Sequence, residues 1–138
     1  MLKKLIDTNI FIDRFANPDL YKDIFLSEGF VYLSAVVLME LRGGTHSPDA
    51  LKAMNDLADL FKKVDRIILP SIKDYEQAGE IISKLQVKKG YEIKKCASIT
   101  NDALIAASAR HQGAVVFTQN KKDFESIREV FDFKLSFV

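Results

Sequence analysis

Four acidic residues, far apart in the chain, stand at positions where their charge invites chemistry. Asp7 directly follows the apolar run that ends Leu5-Ile6 and precedes Thr8-Asn9. In an open parallel sheet, ligands bind beyond the carboxyl ends of the strands, so this is a functional edge; taken alone, a helix cap is the simpler account. Glu40 lies in Val36-Val37-Leu38-Met39-Glu40-Leu41, a segment apolar on every side except at this carboxylate. An isolated charge on such a surface costs several kcal/mol, so it calls for a cation, a shared proton or a salt bridge to a distant Lys or Arg. Arg42, two positions on, points elsewhere on a helix and is a poor local partner. Asp102 falls in the first turn of a helical pattern, where the helix dipole favours an acid by roughly 0.3–1 kcal/mol. It also shares a face with Ile105, Ala106 and Ala109, small and apolar residues that allow close approach to a sheet. Asp123 closes Thr118-Gln119-Asn120-Lys121-Lys122-Asp123-Phe124, which offers a hydroxyl, an amide and an acid just after a strand. If these acids meet in one pocket, a divalent cation is what makes their proximity tolerable.

The elements that must bring them together alternate along the chain. Apolar runs at Lys3–Ile6, Val31–Leu33, Arg66–Leu69 and Ala114–Thr118 predict strands, the last apolar on both faces as in a central parallel strand. Phe131, Phe133, Leu135 and Phe137 alternate with polar residues, the period of a half-exposed edge strand. Helices fill the intervals. One runs over Ala35–Leu41 after Ser34 and ends at Gly43-Gly44, and one opens at Pro48 with Leu51, Met54, Leu57, Ala58 and Phe61 inward. One is capped by Ser71, carries Ile72, Tyr75, Ala78, Ile82 and Leu85 at helical spacing, and stops at Gly90; another is capped by Thr100 and stops at Gly113. Strand and helix in alternation predict an α/β fold on a mainly parallel sheet, with residues 1–138 as a single domain.

Composition narrows the class. A net charge of +1 gives no global attraction to a polyanion, so a nucleic acid would need a local basic patch. One cysteine, Cys96, excludes an internal disulfide and a multi-cysteine zinc site, and it is expected to be a plain buried or surface thiol. The start resembles a signal peptide, but Asp7 interrupts its apolar run too early, and no stretch approaches the ~20 apolar residues of a membrane span. A cytoplasmic protein is the expectation. His46, in a polar loop, and His111, at a helix end, make weak general bases, and Gly43-Gly44 lacks the Lys-Ser/Thr of a phosphate loop.

In combination, Leu5-Ile6-Asp7-Thr8-Asn9-Ile10, Ser34 to Glu40-Leu41-Arg42, Asn101-Asp102-Ala103-Leu104-Ile105-Ala106-Ala107 and Thr118-x-Asn120-x-x-Asp123-Phe124 span nearly the whole chain. In this order they resemble the PIN-domain ribonucleases, and among them the VapC-type toxins of toxin–antitoxin pairs. The resemblance implies a three-layer α/β/α sandwich with a five-stranded, mainly parallel sheet. It implies a metal-dependent endoribonuclease in which Asp7, Glu40 and Asp102 bind Mg²⁺ or Mn²⁺, and Asp123 joins them directly or through water. Thr8, Asn9 and Thr118 would orient these ligands from behind. Asn120 is a departure, because the family often has Asp there; its amide could ligate a metal but brings less charge, which bears on a second ion. Water as nucleophile would leave 5′-phosphate and 3′-hydroxyl ends. Arg42, Lys121 and Lys122 are the cations expected to touch RNA, the latter two because they lie between Asn120 and Asp123. The phenylalanines at helical or strand spacing are expected to be core; the family also leads one to expect an antitoxin partner and a homodimer, whose interface exposed ones near Phe11, Phe15 or Phe25 could serve.

Other acid pockets fit less well. A receiver-like phosphoacceptor domain would want an acid after the third strand, where Ile67-Ile68-Leu69-Pro70 has none. A haloacid-dehalogenase-like phosphatase would want an acid two positions after Asp7, where Asn9 stands. A PIN-fold module that binds RNA or protein without cutting is the remaining alternative, and the retention of all four acids speaks against it.

Overall fold

A computed structural model describes residues 1–95 and 97–138, with only the backbone of Lys95; the expectation for Cys96 lies outside the described residues. Five strands, β1 (Lys3–Ile6), β2 (Phe30–Ser34), β3 (Ile67–Ile68), β4 (Ala114–Thr118) and β5 (Lys134–Phe137), form one parallel sheet in the order β3-β2-β1-β4-β5. β1 is central and almost wholly buried, and β5 is the edge strand its alternation predicts. The chain moves outward from β1 to β3, then returns to the other side of β1 for β4 and β5. That reversal opens a crevice between the carboxyl ends of β1 and β4.

The crossovers hold α1 (Thr8–Ala16), α2 (Lys22–Leu26), α3 (Ala35–Gly43) and α4 (Pro48–Lys63), then α5 (Ile72–Lys89), α6 (Ala97–Gln112) and α7 (Lys121–Val130). Right-handed crossovers that run in opposite directions put the first four helices on one face and the last three on the other, a three-layer α/β/α arrangement. The packing follows: α1 meets α3 and α3 meets α4, while α5 packs on α6 and α7.

Local chemistry sets the boundaries. Ser34 Oγ accepts from Val36 N at 3.1 Å to start α3, and Ser47 Oγ accepts from Ala50 N at 3.1 Å ahead of Pro48. Ser71 and Asp74 form a reciprocal capping box for α5. Gly90, at φ +69°, ends α5 in the left-handed region that a side chain would resist.

Two expectations are corrected. Thr100 does not cap α6; the helix begins a turn earlier, and Thr100 Oγ1 turns back to Ala97 O at 2.9 Å. The buried face of α5 runs through Asp74, Ala78, Ile81 and Leu85, while Ile72 and Tyr75 are exposed, because the capping box turns the first turn's acid inward. On α3 the apolar side chain of Met39 is 56% exposed, so not all of this segment's apolar surface faces the core. Phe11 is core, as expected of the phenylalanines: it is 2% exposed and meets Phe25 and Phe61 edge-on. α6, by contrast, is buried continuously from Asp102 to Ala109, as its alanines permit.

Candidate active site

The reversal point carries the acids. Asp7 follows β1 and caps α1, with Oδ1 accepting from Thr8 N at 2.8 Å; the cap and the site are therefore the same residue. Its backbone N–H donates to Phe117 O at 2.9 Å and Thr118 Oγ1 donates to its Oδ2 at 2.7 Å, which ties the ends of β1 and β4 together. Thr8 Oγ1 reaches across to α3 and donates to Glu40 Oε1 at 2.8 Å. Asn101, one residue before Asp102, lies close enough to Glu40 for its side chain to favour the charged carboxylate.

On the other side of Asp7, Asn120 N donates to Thr118 Oγ1 at 3.0 Å. Its Nδ2 donates to Asp102 Oδ2 and Asp123 Oδ2, each at 3.2 Å, while its Oδ1 accepts from Asp123 N to cap α7. Tyr91 OH lies 3.0 Å from Asp123 Oδ1. Glu40, Thr8, Asp7, Thr118, Asn120, Asp102, Asp123 and Tyr91 thus form one continuous hydrogen-bonded network drawn from five segments of the chain.

The electrostatics are those of a site short of positive charge. Burial raises the Asp102 carboxyl to about 8, and the charges of Asp7, Glu40 and Asp123 add to the rise. Burial likewise raises Asp7, opposed by the hydrogen bonds from Thr118 and Thr8. Glu40 is raised by burial first and by the charge of Asp7 next, against the hydrogen bond of Thr8 and the nearby Asn101 side chain. Three carboxyls held above their ordinary range by burial and by one another would each be relieved by a cation.

Among the described residues, no group of three or more Asp, Glu, His or Cys side chains is arranged to hold an ion by itself. The donor set nevertheless suits a hard cation. Its ligands are oxygens, and Mg²⁺ keeps several waters and takes one or two carboxylates directly.

The remaining predicted residues lie further out. Asn9 is exposed on the first turn of α1, and among the described residues no hydrogen bond joins it to the acids. Arg42 is exposed and donates to Asn55 Oδ1 of α4 at 2.9 Å. Lys121 and Lys122 are exposed on the first turn of α7, with Lys121 Nζ 5.8 Å from the Phe137 ring centre. Sequence reasoning missed Tyr91 altogether. It quoted Asn101 without giving it a role, although its place beside Asp102 on a helix converging with α3 was a usable signal. An apolar groove of about 360 Å³, lined by Ile12, Phe15, Ala16, Leu41 and Ala53, opens where α1, α3 and α4 meet.

Comparison with known proteins agrees with this geometry. A family model described as PIN domain matches residues 4–130. The chain is 31% identical over 134 residues to "tRNA(fMet)-specific endonuclease VapC" of Shigella flexneri, covering 92% of this chain and 93% of that protein. Its fold is similar to that of VapBC2 from Rickettsia felis, solved bound to a DNA fragment from its promoter: TM-score 0.72, 26% identity, 99% of each chain covered. DNA-bound VapBC from Salmonella typhimurium is similar at TM-score 0.70 and 25% identity, over 99% of this chain and 98% of that one. An acid network at the reversal point of a five-stranded parallel sheet, and a match along nearly the whole sequence, lead to one assignment: the chain belongs to the PIN domain family, among the VapC-type proteins.

Proposed function

We propose that this chain is a divalent-metal-dependent endoribonuclease acting as the toxin of a toxin–antitoxin pair. The observation that carries the reading is the single network joining Asp7, Glu40, Asp102 and Asp123. Asp7, Glu40 and Asp102 would hold Mg²⁺ or Mn²⁺. Asp123 would join them directly or through water, with its carboxylate oxygens held by Tyr91 and Asn120. Asn120 is then a bridge between two acids rather than a ligand. When bound, the ion would polarise a phosphoryl oxygen and lower the pKa of an attacking water.

The chain's own residues prepare that site. Thr118 and the Thr8 N–H fix both oxygens of Asp7, and the Thr8 hydroxyl fixes Glu40. Asp102, protonated at neutral pH without a cation, would release its proton as the cation enters. Lys121 and Lys122 flank the acids from α7 and would meet phosphates. The apolar groove beside α3 would seat an apolar segment of the antitoxin, and that pair would engage DNA, as the Salmonella complex does and as the Rickettsia complex does with a promoter fragment.

Cleavage of tRNA(fMet), the substrate printed in the name of the Shigella relative, is the first assay. The purified chain should cut it with Mg²⁺ or Mn²⁺, leave 5′-phosphate ends, and stop on chelation. Asp7→Asn should reduce cutting to background while the metal-free protein becomes more stable, because one buried charge is removed and the amide oxygen can still cap α1. RNA binding without cutting by the metal-loaded wild type would instead indicate a non-catalytic module.

A further inference from the structure

Beyond the four acids, the structure assigns Tyr91 as a positioning residue that holds the Asp123 carboxylate in place, an inference that rests on the nuclease reading above. The local fold delivers it there. Gly90 turns the chain out of α5, and the N–H groups of both Gly90 and Tyr91 bond to Leu85 O, the latter at 3.2 Å. This clasp stands on a fully buried residue and fixes the tyrosine backbone. The ring packs against the core, so the side chain has little rotational freedom, and its hydroxyl is carried to the first turns of α7.

There it meets two acceptors on one helix face, Asp123 Oδ1 at 3.0 Å and Ser126 Oγ at 3.1 Å, three residues apart. A phenol has one proton to give, and the bond to a carboxylate is charge-assisted and the stronger of the two. Ser126 in turn lies 3.0 Å from Lys122 O. Asn120 Nδ2 holds the other Asp123 oxygen and reaches Asp102 as well. Asp123 is therefore clamped between an amide shared with Asp102 and a phenol anchored on α5. Its distance from Asp102 is set from both sides, and Tyr91 governs one of them.

Tyr91→Phe removes the hydroxyl and keeps the ring. Partners of this kind cost about 10–100-fold in metal affinity or activity when removed. At the lower end of that range, the Mn²⁺ affinity measured by calorimetry should fall about tenfold. The kcat for tRNA cleavage should fall by a similar factor, with KM unchanged and the melting temperature shifted by no more than about 3 °C. In an Asp123→Ala background the same substitution should have no further effect, because the carboxylate it positions is gone. Wild-type Mn²⁺ affinity and kcat in Tyr91→Phe, or an undiminished additional loss on top of Asp123→Ala, would overturn the assignment while leaving the nuclease reading intact. A wild-type chain that binds no Mn²⁺ would overturn both.

Discussion

Two aspartates at the two ends of α6 share one degree of burial and differ in everything else. Asp74 is 2% exposed and Asp102 is 5% exposed. Asp74 Oδ2 accepts from Ser71 N at 2.9 Å in the capping box; its Oδ1 has no hydrogen-bond partner among the described residues, but His111, in the last turn of α6, stands 3.2 Å from it. Asp102, in the first half of the same helix, has an amide shared with Asp123 and the charges of three other acids around it. Lys4 falls on the side of Asp74: it is 2% exposed on β1, with its ammonium on Ile24 O at 2.7 Å and Ser27 Oγ at 2.6 Å. Burial alone therefore does not mark a functional charge. A buried charge that faces donors of its own chain and no like charge is structural, and one left among like charges is waiting for a counterion.

The comparison breaks most sharply under substitution. Asp102→Asn should reduce RNA cleavage to background and raise the melting temperature of the metal-free protein, whereas Asp74→Ala should lower the melting temperature and leave cleavage within about twofold, being remote from the reacting groups. Parallel melting and cleavage assays would decide; a loss of cleavage in both would erase the distinction.

Next in size is the pH dependence. The folded chain keeps a proton on Asp102 up to about pH 8, while the unfolded chain releases it near 3.8. The folded state thus binds more protons across that window, so stability declines as pH rises from about 4 and levels off above about 8. The decline should amount to a few kcal/mol in metal-free protein, be offset by Mn²⁺, and flatten in Asp102→Asn. A metal-free melting temperature that instead climbs between pH 5 and 8 would contradict the electrostatic account of the site.

The Asp74 end gives smaller numbers. Loss of the capping box in Asp74→Ala should cost about 1–2 kcal/mol by denaturant unfolding. His111→Ala, which removes a half-exposed partner, should cost less than about 1 kcal/mol. A larger effect from the histidine than from the aspartate would place the anchor of that helix end elsewhere.

Much of the frame was legible in the linear order because its determinants are local. Hydrophobic period, Ser34 and Ser71 as caps and Gly90 as a stop depend on neighbours a few residues away, and they locate strands and helices to within a turn. The start of α6 was not legible, because packing on α5 and β4 extends the helix past the point where Thr100 could have capped it. The inward turn of Asp74 was hidden for the same reason: the partner that receives it, His111, is 37 residues away.

For the site, the sequence alone determined which acids were available and that each follows or opens an element, since side-chain type and local pattern are written residue by residue. Tertiary structure decided which oxygens face one another. Thr8 reaching Glu40, Asn120 spanning Asp102 and Asp123, and Tyr91 arriving from the end of α5 all bridge segments that no local rule relates. Hydrogen bonds act over about 3 Å. Only the closing of the sheet around β1 brings groups 18 to 111 residues apart within that reach.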